Sequence, residues 1–211
     1  RYLTVLRAPW GETWVDWPLI QSDLVWLSNL MYVGAFRNVV NSGGGELFDV
    51  SVGSAFISRF DEMKTGSDPL ANEAILALSR RIAEVFELNS FDISASADKT
   101  HLVCMVDGRS MRLSELGAGL AQFVLVGASV LVRRPNILLI DEPELNLHAA
   151  LQPRLLALVG EALAGPLIFA THSVGLARSS ADMVFVLARG DDGSTRCQNY
   201  LEADNLSLSL G

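Results

Sequence analysis

Cysteine, basic charge and long apolar runs are all scarce in this chain, and each scarcity excludes something. The two cysteines, Cys104 and Cys197, stand alone, with no CxxC and no Cys/His spacing suited to a metal. A disulfide scaffold and a zinc module are thereby excluded; a reduced, cytoplasmic setting is the simpler expectation, with a single disulfide left open. Sixteen basic against 24 acidic residues give a net charge of −8, which excludes a surface coated in cations for nucleic acid. Any nucleic-acid contact is then local or supplied by a partner. Leu116–Val132 has only Gln122 and Ser129 as clearly polar side chains, yet it falls short of the ~20 apolar residues of a spanning helix. A core helix and no membrane are expected there. The chain opens on Arg1 with no signal-peptide pattern, and the expectation is a fragment of a longer protein.

What is present centres on Asn136–Ala149, NILLIDEPELNLHA. Ile137–Ile140 are too few for a helix and too uniformly apolar for a half-exposed strand, so they predict the centre of a parallel sheet covered on both faces. Asp141 and Glu142 then emerge at the carboxyl edge, where open α/β sheets bind ligands. Two adjacent carboxylates there divide the work of phosphoryl chemistry: Asp141 would hold Mg²⁺ through water, and Glu142 would orient or deprotonate an attacking water. Upstream, in LSELGAGLAQ (Leu113–Gln122), Ser114 is expected to cap a helix whose Gly117 and Gly119 leave backbone N–H groups open to phosphate oxygens. Downstream, LIFATHS (Leu167–Ser173) predicts a second buried strand that delivers Thr171, His172 and Ser173 to the same edge. His172 is the candidate γ-phosphate sensor.

Trp10, Trp14, Trp17 and Trp26 cluster before residue 45 without interleaved basic residues, which favours packing over base stacking. Leu24–Val33 reads as helix or strand, Asn41–Gly45 as a loop, and Glu46–Phe60 as a strand. Asp68-Pro69 supplies an N-cap and a favoured first residue for an amphipathic helix over Pro69–Leu88, with Arg80, Arg81 and Glu84 outward. Phe91–Ser96, His101–Val106 and Arg109–Leu113 predict an antiparallel meander. From Ser114 the pattern alternates: helix to Arg134, strand Ile137–Ile140, helix Ala149–Ala164, strand Pro166–Thr171, helix Ser173–Ser179 and strand Met183–Ala188, then a hairpin turning through Gly190 and Gly193. That is the pattern of a parallel sheet flanked by helices. Three segments are expected: 1–60, Trp-rich; 61–112, helix and meander; 113–211, the α/β lobe.

LSELGAGLAQ, ILLIDEPELNLHAALQ and IFATHS resemble the signature motif, the Walker B and D-loop, and the switch histidine of ABC-type ATPases. More narrowly they are similar to the AAA-labelled domains of the OLD and RecF/SMC-like group of DNA repair and anti-phage defence, since His148 stands where transporters usually have Asp. The resemblance implies a P-loop NTPase-like fold, ATP and Mg²⁺, Glu142 and His172 as catalytic residues, and Asp141 as metal ligand. Nucleotide contacts would come from Ser114, Gly117, Ala118 and Gly119 of the signature and from Asn146 and His148 of the D-loop. It further implies a head-to-head homodimer with composite sites, gating a nuclease effector fused to it or bound in trans.

One part of the family pattern is missing. No GxxxxGK[ST] occurs in the sequence, and neither Lys64 nor Lys99 lies in a glycine-rich strand-to-helix loop. In the family that loop precedes the motifs seen here, so the chain is expected to be a carboxyl-terminal lobe. The alternatives are a non-hydrolysing scaffold that keeps the fold and, as an outsider, a protein anchored through Leu116–Val132.

Overall fold

The computed structural model describes residues 5–7, 13–15, 17–34, 54–190 and 193–200. The expected loop Asn41–Gly45 and the Glu46–Gly53 part of the expected strand lie outside them. A short antiparallel pair, β1 (Val5–Arg7) and β2 (Thr13–Val15), precedes α1 (Trp17–Ser28) and β3 (Leu30–Val33). Leu24–Val33 is thus the end of a helix and then a strand. Of the four tryptophans only Trp26 has a described side chain, and it is 43% exposed.

Ser54–Phe60 is helical, contrary to the expected strand. It opens α2 (Ser54–Thr65), where Ile57, Phe60 and Met63 recur every third residue and are all buried, a helical and not an alternating period. In α3 (Pro69–Val85) Asp68 caps as expected, its carboxylate accepting from Leu70 N at 3.0 Å and Ala71 N at 3.4 Å. Arg81 is more than a solvated charge, because its Nη2 reaches both carboxylate oxygens of Glu161 at 2.7 and 3.0 Å. The meander forms as β4 (Phe91–Ala95), β5 (Leu102–Val106) and β6 (Arg109–Arg112). Cys104 and Cys197 are both free thiols, and burial, with Asp92 nearby, pushes the Cys104 thiol up to about 12.

The long helix α4 (Ala118–Arg133) is buried continuously from Ala121 to Val130, as a helix apolar on all sides must be. A side chain at Gly127 would come within 2.7 Å of Leu78 on α3 and 3.2 Å of Leu158, so this glycine permits the close approach of α4 to its neighbours. Among the described residues no helix is long and apolar enough to cross a membrane. Arg134, in the left-handed region at φ 47°, ends the helix and turns the chain towards β7 (Ile137–Asp141). Then follow α5 (Gln152–Ala162), β8 (Leu167–Ala170), α6 (Val174–Ser180), β9 (Phe185–Arg189) and β10 (Thr195–Asn199).

The parallel sheet has the order β3-β7-β8, with β7 central. On one face Met31, Val33, Leu138 and Ile140 are at most 2% exposed and meet the helical core. Burial on the other face is incomplete: Leu30, Tyr32 and Ile168 are 42%, 43% and 56% exposed around half-buried Leu139. The expected covering of both faces therefore holds for one. β9 is also not a parallel strand. It pairs antiparallel with β10, and the turn closes through Gly190 N donating to Ser194 O at 2.8 Å. The molecule is an α/β fold with a parallel three-stranded sheet, flanking helices and small antiparallel sheets.

Candidate functional site

The carboxyl edge of β7 and β8 carries the predicted chemistry. Asp141 is the last residue of β7, half-buried and level with Ala170 of β8. Glu142 N donates to Ala170 O at 2.8 Å and so extends the ladder by one bond. Immediately afterwards the chain turns sharply. Leu145 N donates to Glu142 O and Leu147 N to Glu144 O, each at 3.1 Å, with Glu142 at φ 46° and Asn146 at φ 61°. Left-handed backbone at residues other than glycine costs about 1 kcal/mol or more each and concentrates at functional sites. Here it turns the Glu142 carboxylate towards the neighbouring loop.

That loop presents His172. Its Nε2 lies 3.2 Å from Glu142 Oε1, the imidazole 90% exposed and the carboxylate 28% exposed. A carboxylate partly withdrawn from water beside an imidazole open to it can orient a water or receive its proton within hydrogen-bond reach. Ser173 caps α6, accepting from Leu176 N at 3.2 Å, which fixes where the loop ends.

The second group of predicted residues lies at the start of α4, with one correction. Ser114 does not cap the helix. Leu113–Glu115 form a separate 3₁₀ turn, closed by Arg112 N donating to Glu115 Oε2 at 2.8 Å, and Leu116 is extended. The N-cap is Gly117, with no side-chain cap, so Ala118 and Gly119 are the first two residues of α4. The space beside the Gly117 Cα is open, with nothing within 4 Å of where a side chain would begin. Gly119 faces inward instead, where a side chain would meet Leu147 at 3.4 Å and the Asn146 carbonyl at 3.8 Å. The start of α4 and the Glu142–His148 loop thus adjoin within one chain. Asn146 and His148 are exposed; His148 Nδ1 accepts from Ala150 N at 3.4 Å, and its carbonyl accepts from Leu151 N at 2.8 Å, so it helps start α5.

No group of three or more His, Cys, Asp or Glu suited to a metal occurs among the described residues. Asp141, at the end of β7 and next to Glu142, offers a hard carboxylate oxygen at the edge, which fits Mg²⁺, an ion that keeps waters and phosphate oxygens and needs one or two protein carboxylates. A cavity of about 360 Å³ lies elsewhere, at the amino end of β7, lined by Met63, Val130, Pro135, Asn136 and Ala162 among others. Glu144 escaped the sequence reading. It accepts from Thr171 and His172 across the two loops, and its one sequence signal is that polar residues follow two adjacent strands.

A family model described as "AAA domain, putative AbiEii toxin, Type IV TA system" matches residues 16–178. The peptidoglycan transport ATP-binding protein YejF of Agrobacterium fabrum (strain C58) is 30% identical over 142 residues, 62% of this chain and 25% of that protein. The chain thus spans about a quarter of that relative's length. Among solved structures, the SMC head domain from Thermotoga maritima superposes with a TM-score of 0.52 at 14% identity, over 92% of this chain and 67% of that one. An ATP-binding subunit of an ABC transporter gives 0.49 at 14% identity, over 93% and 70%. The SMC head shares the fold described above, and because the family model spans the parallel sheet, α4 and both edge loops, the chain belongs to that AAA-domain family of ATPases.

Proposed function

We propose that this chain is the lobe of an ABC/SMC-type ATPase, of the OLD and RecF-like kind, that supplies the hydrolytic residues and the signature helix. The carrying observation is the Glu142–His172 pair, 3.2 Å apart at the carboxyl edge of a parallel sheet. Asp141 would hold Mg²⁺, which when bound neutralises charge on the phosphates. Glu142 orients and deprotonates the attacking water, and His172 meets the charge that develops on the γ-phosphate. Ser114, Gly117 and Ala118, on an open helix start, serve the nucleotide of a second head, with Asn146 and His148 beside it. Each site is then incomplete in one chain, and hydrolysis requires a homodimer. The proposed use of that dimer is to gate a nuclease, fused or bound in trans, acting on DNA in repair or anti-phage defence in the cytoplasm.

The test is light scattering of the full-length protein with ATP and Mg²⁺. Gly117→Ala places a methyl where nothing lies within 4 Å, at an N-cap whose φ of −58° any residue adopts, so the melting temperature is little changed, by less than about 1 kcal/mol in stability. ATP-dependent dimerisation is nevertheless lost, because the methyl stands on the open side of the helix start and narrows the approach of a phosphate to the first turn. Mixing this variant with Glu142→Gln, whose signature is intact, restores one composite site. Normal ATP-dependent dimerisation of Gly117→Ala would reject the signature role. No GxxxxGK[ST] occurs within these 211 residues, and a second reading is a scaffold that keeps the fold without turnover. It predicts no ATP hydrolysis by the full-length protein under any condition that supports the dimer.

A further inference from the structure

The two edge loops are tied together by a side chain with no part in the reaction above. Glu144 Oε1 accepts from the Thr171 hydroxyl at 2.5 Å and from the His172 main-chain N–H at 3.0 Å. Thr171 Oγ1 accepts in turn from Ser173 N at 2.9 Å, and Ser173 Oγ accepts from Leu176 N as the cap of α6. The backbone on both sides of His172 is therefore fixed to the loop that also carries Glu142. Glu144 Oε2, by contrast, is buried and has no hydrogen-bond partner among the described residues. A buried acceptor left unmade is destabilising, so the carboxylate needs an explanation beyond stability. What Oε1 holds provides one.

The geometry points to Glu144 as a positioning residue for His172: through Oε1 it holds the Thr171–Ser173 backbone where the imidazole meets Glu142, and it makes the histidine follow the Glu142–His148 loop. The assignment rests on the function proposed above, since positioning matters only if His172 acts in turnover. A charge-assisted bond to a main-chain N–H suits this task, because it fixes the backbone and leaves the exposed imidazole free to meet a ligand. Small misplacements are costly in rate: about 1 Å can lose on the order of 10²-fold.

The experiment is a double-mutant cycle on the full-length protein, with ATP turnover, ATP affinity and melting temperature measured for His172→Ala, Glu144→Ala, Glu144→Gln and Glu144→Ala/His172→Ala. Amide exchange at His172 is followed alongside. Glu144→Ala is expected to lower turnover by about 10- to 10²-fold with ATP affinity held. On the His172→Ala background it costs about twofold or less, because residues that act as a unit are not additive. Glu144→Gln keeps an acceptor oxygen and is expected to retain both turnover and protection of the His172 amide. Equal losses from Glu144→Ala with and without the histidine would overturn the assignment, as would unchanged turnover in Glu144→Ala. Should Glu144→Ala not fold, Glu144→Gln decides: loss of turnover in a folded protein with the His172 amide still protected rejects it. If His172→Ala itself keeps full turnover, the proposed hydrolytic site fails first, and that result is separate from any of these.

Discussion

The two ends of β7 and β8 are built from the same strands to opposite purposes. At the carboxyl end the backbone enters the left-handed region at Glu142 and Asn146, and the imidazole of His172 stands 90% exposed against a carboxylate. At the amino end polar groups are spent on holding chain to chain. Asn136 N donates to Asn29 O and Leu138 N to Pro166 O, while Asn136 Nδ2 donates to Trp26 O at 2.8 Å and Asn29 Nδ2 to Arg134 O at 3.0 Å. Gly165 leaves no room there, since a side chain would begin 1.9 Å from the Asn136 carbonyl oxygen. Left-handed backbone occurs at both ends, at Arg134 where it stops a helix and at Glu142 and Asn146 in the edge loop. The exposed imidazole against a carboxylate marks the end proposed for chemistry, and close approach with satisfied hydrogen bonds marks the end that secures the sheet.

Substitutions at the two ends should therefore separate turnover from stability. The largest effect is expected for Glu142→Gln in the full-length protein, with turnover lowered by on the order of 10² or more, nucleotide-bound dimers accumulating and the melting curve unchanged. A steady-state ATPase assay beside calorimetry checks it, and unaltered turnover removes Glu142 from the mechanism. Next comes Gly165→Ala at the opposite end, where the added carbon must displace backbone. Overpacking of this kind costs about 2 kcal/mol, read as a lowered midpoint in urea, with turnover per folded molecule kept. If Gly165→Ala instead lowered turnover at full stability, the division between the two ends would collapse.

The smallest effect lies in the β4–β5 turn, remote from both. Hydrogen bonds from Ser96 and Thr100 hold the Asp98 carboxyl down to about 2, against an ordinary 3.8. A folded-state value below the unfolded one means stability present above the unfolded pKa and lost as pH falls through the folded one. Asp98→Asn should flatten the stability–pH curve between about pH 4 and pH 2 and leave turnover at neutral pH untouched. Acid titration of the melting temperature reads this directly.

Much of this division was legible before any coordinates. Ile137–Ile140 announced the central strand because four aliphatic residues in a row fit few other places, and DEPE followed by ATHS put Glu142 and His172 on one edge because parallel strands share a carboxyl end. The contact between those two side chains was not legible, since it depends on a left-handed turn at a glutamate, a conformation no propensity favours. Ser114 misled because Glu115 folds back on Arg112 N and spends the cap position on a 3₁₀ turn. The helix over Ser54–Phe60 was hidden behind Leu47, Val50 and Val52, whose near-alternation was carried forward into residues that follow a period of three. The Met183–Ala188 strand and the hairpin through Gly190 and Gly193 were both foreseen, and β9 pairs with β10 accordingly; its place in the parallel alternation was the misreading, because apolar composition does not say whether a strand also joins the main sheet.

Two chains carrying a net charge of −8 repel each other at low ionic strength, and added salt weakens that repulsion. The strip formed by Leu30, Tyr32 and Ile168, between 42% and 56% exposed, then meets other apolar surface with less opposition, and sulfate strengthens such contacts further. Any association through this strip would need no nucleotide and would grow with salt, whereas the association proposed through the start of α4 would appear only with ATP. A salt series without nucleotide therefore measures how much scattering comes from the sheet. Ile168→Lys, which places a cation on that strip far from the α4 glycines in sequence, should reduce this background and leave the ATP-dependent increment in place.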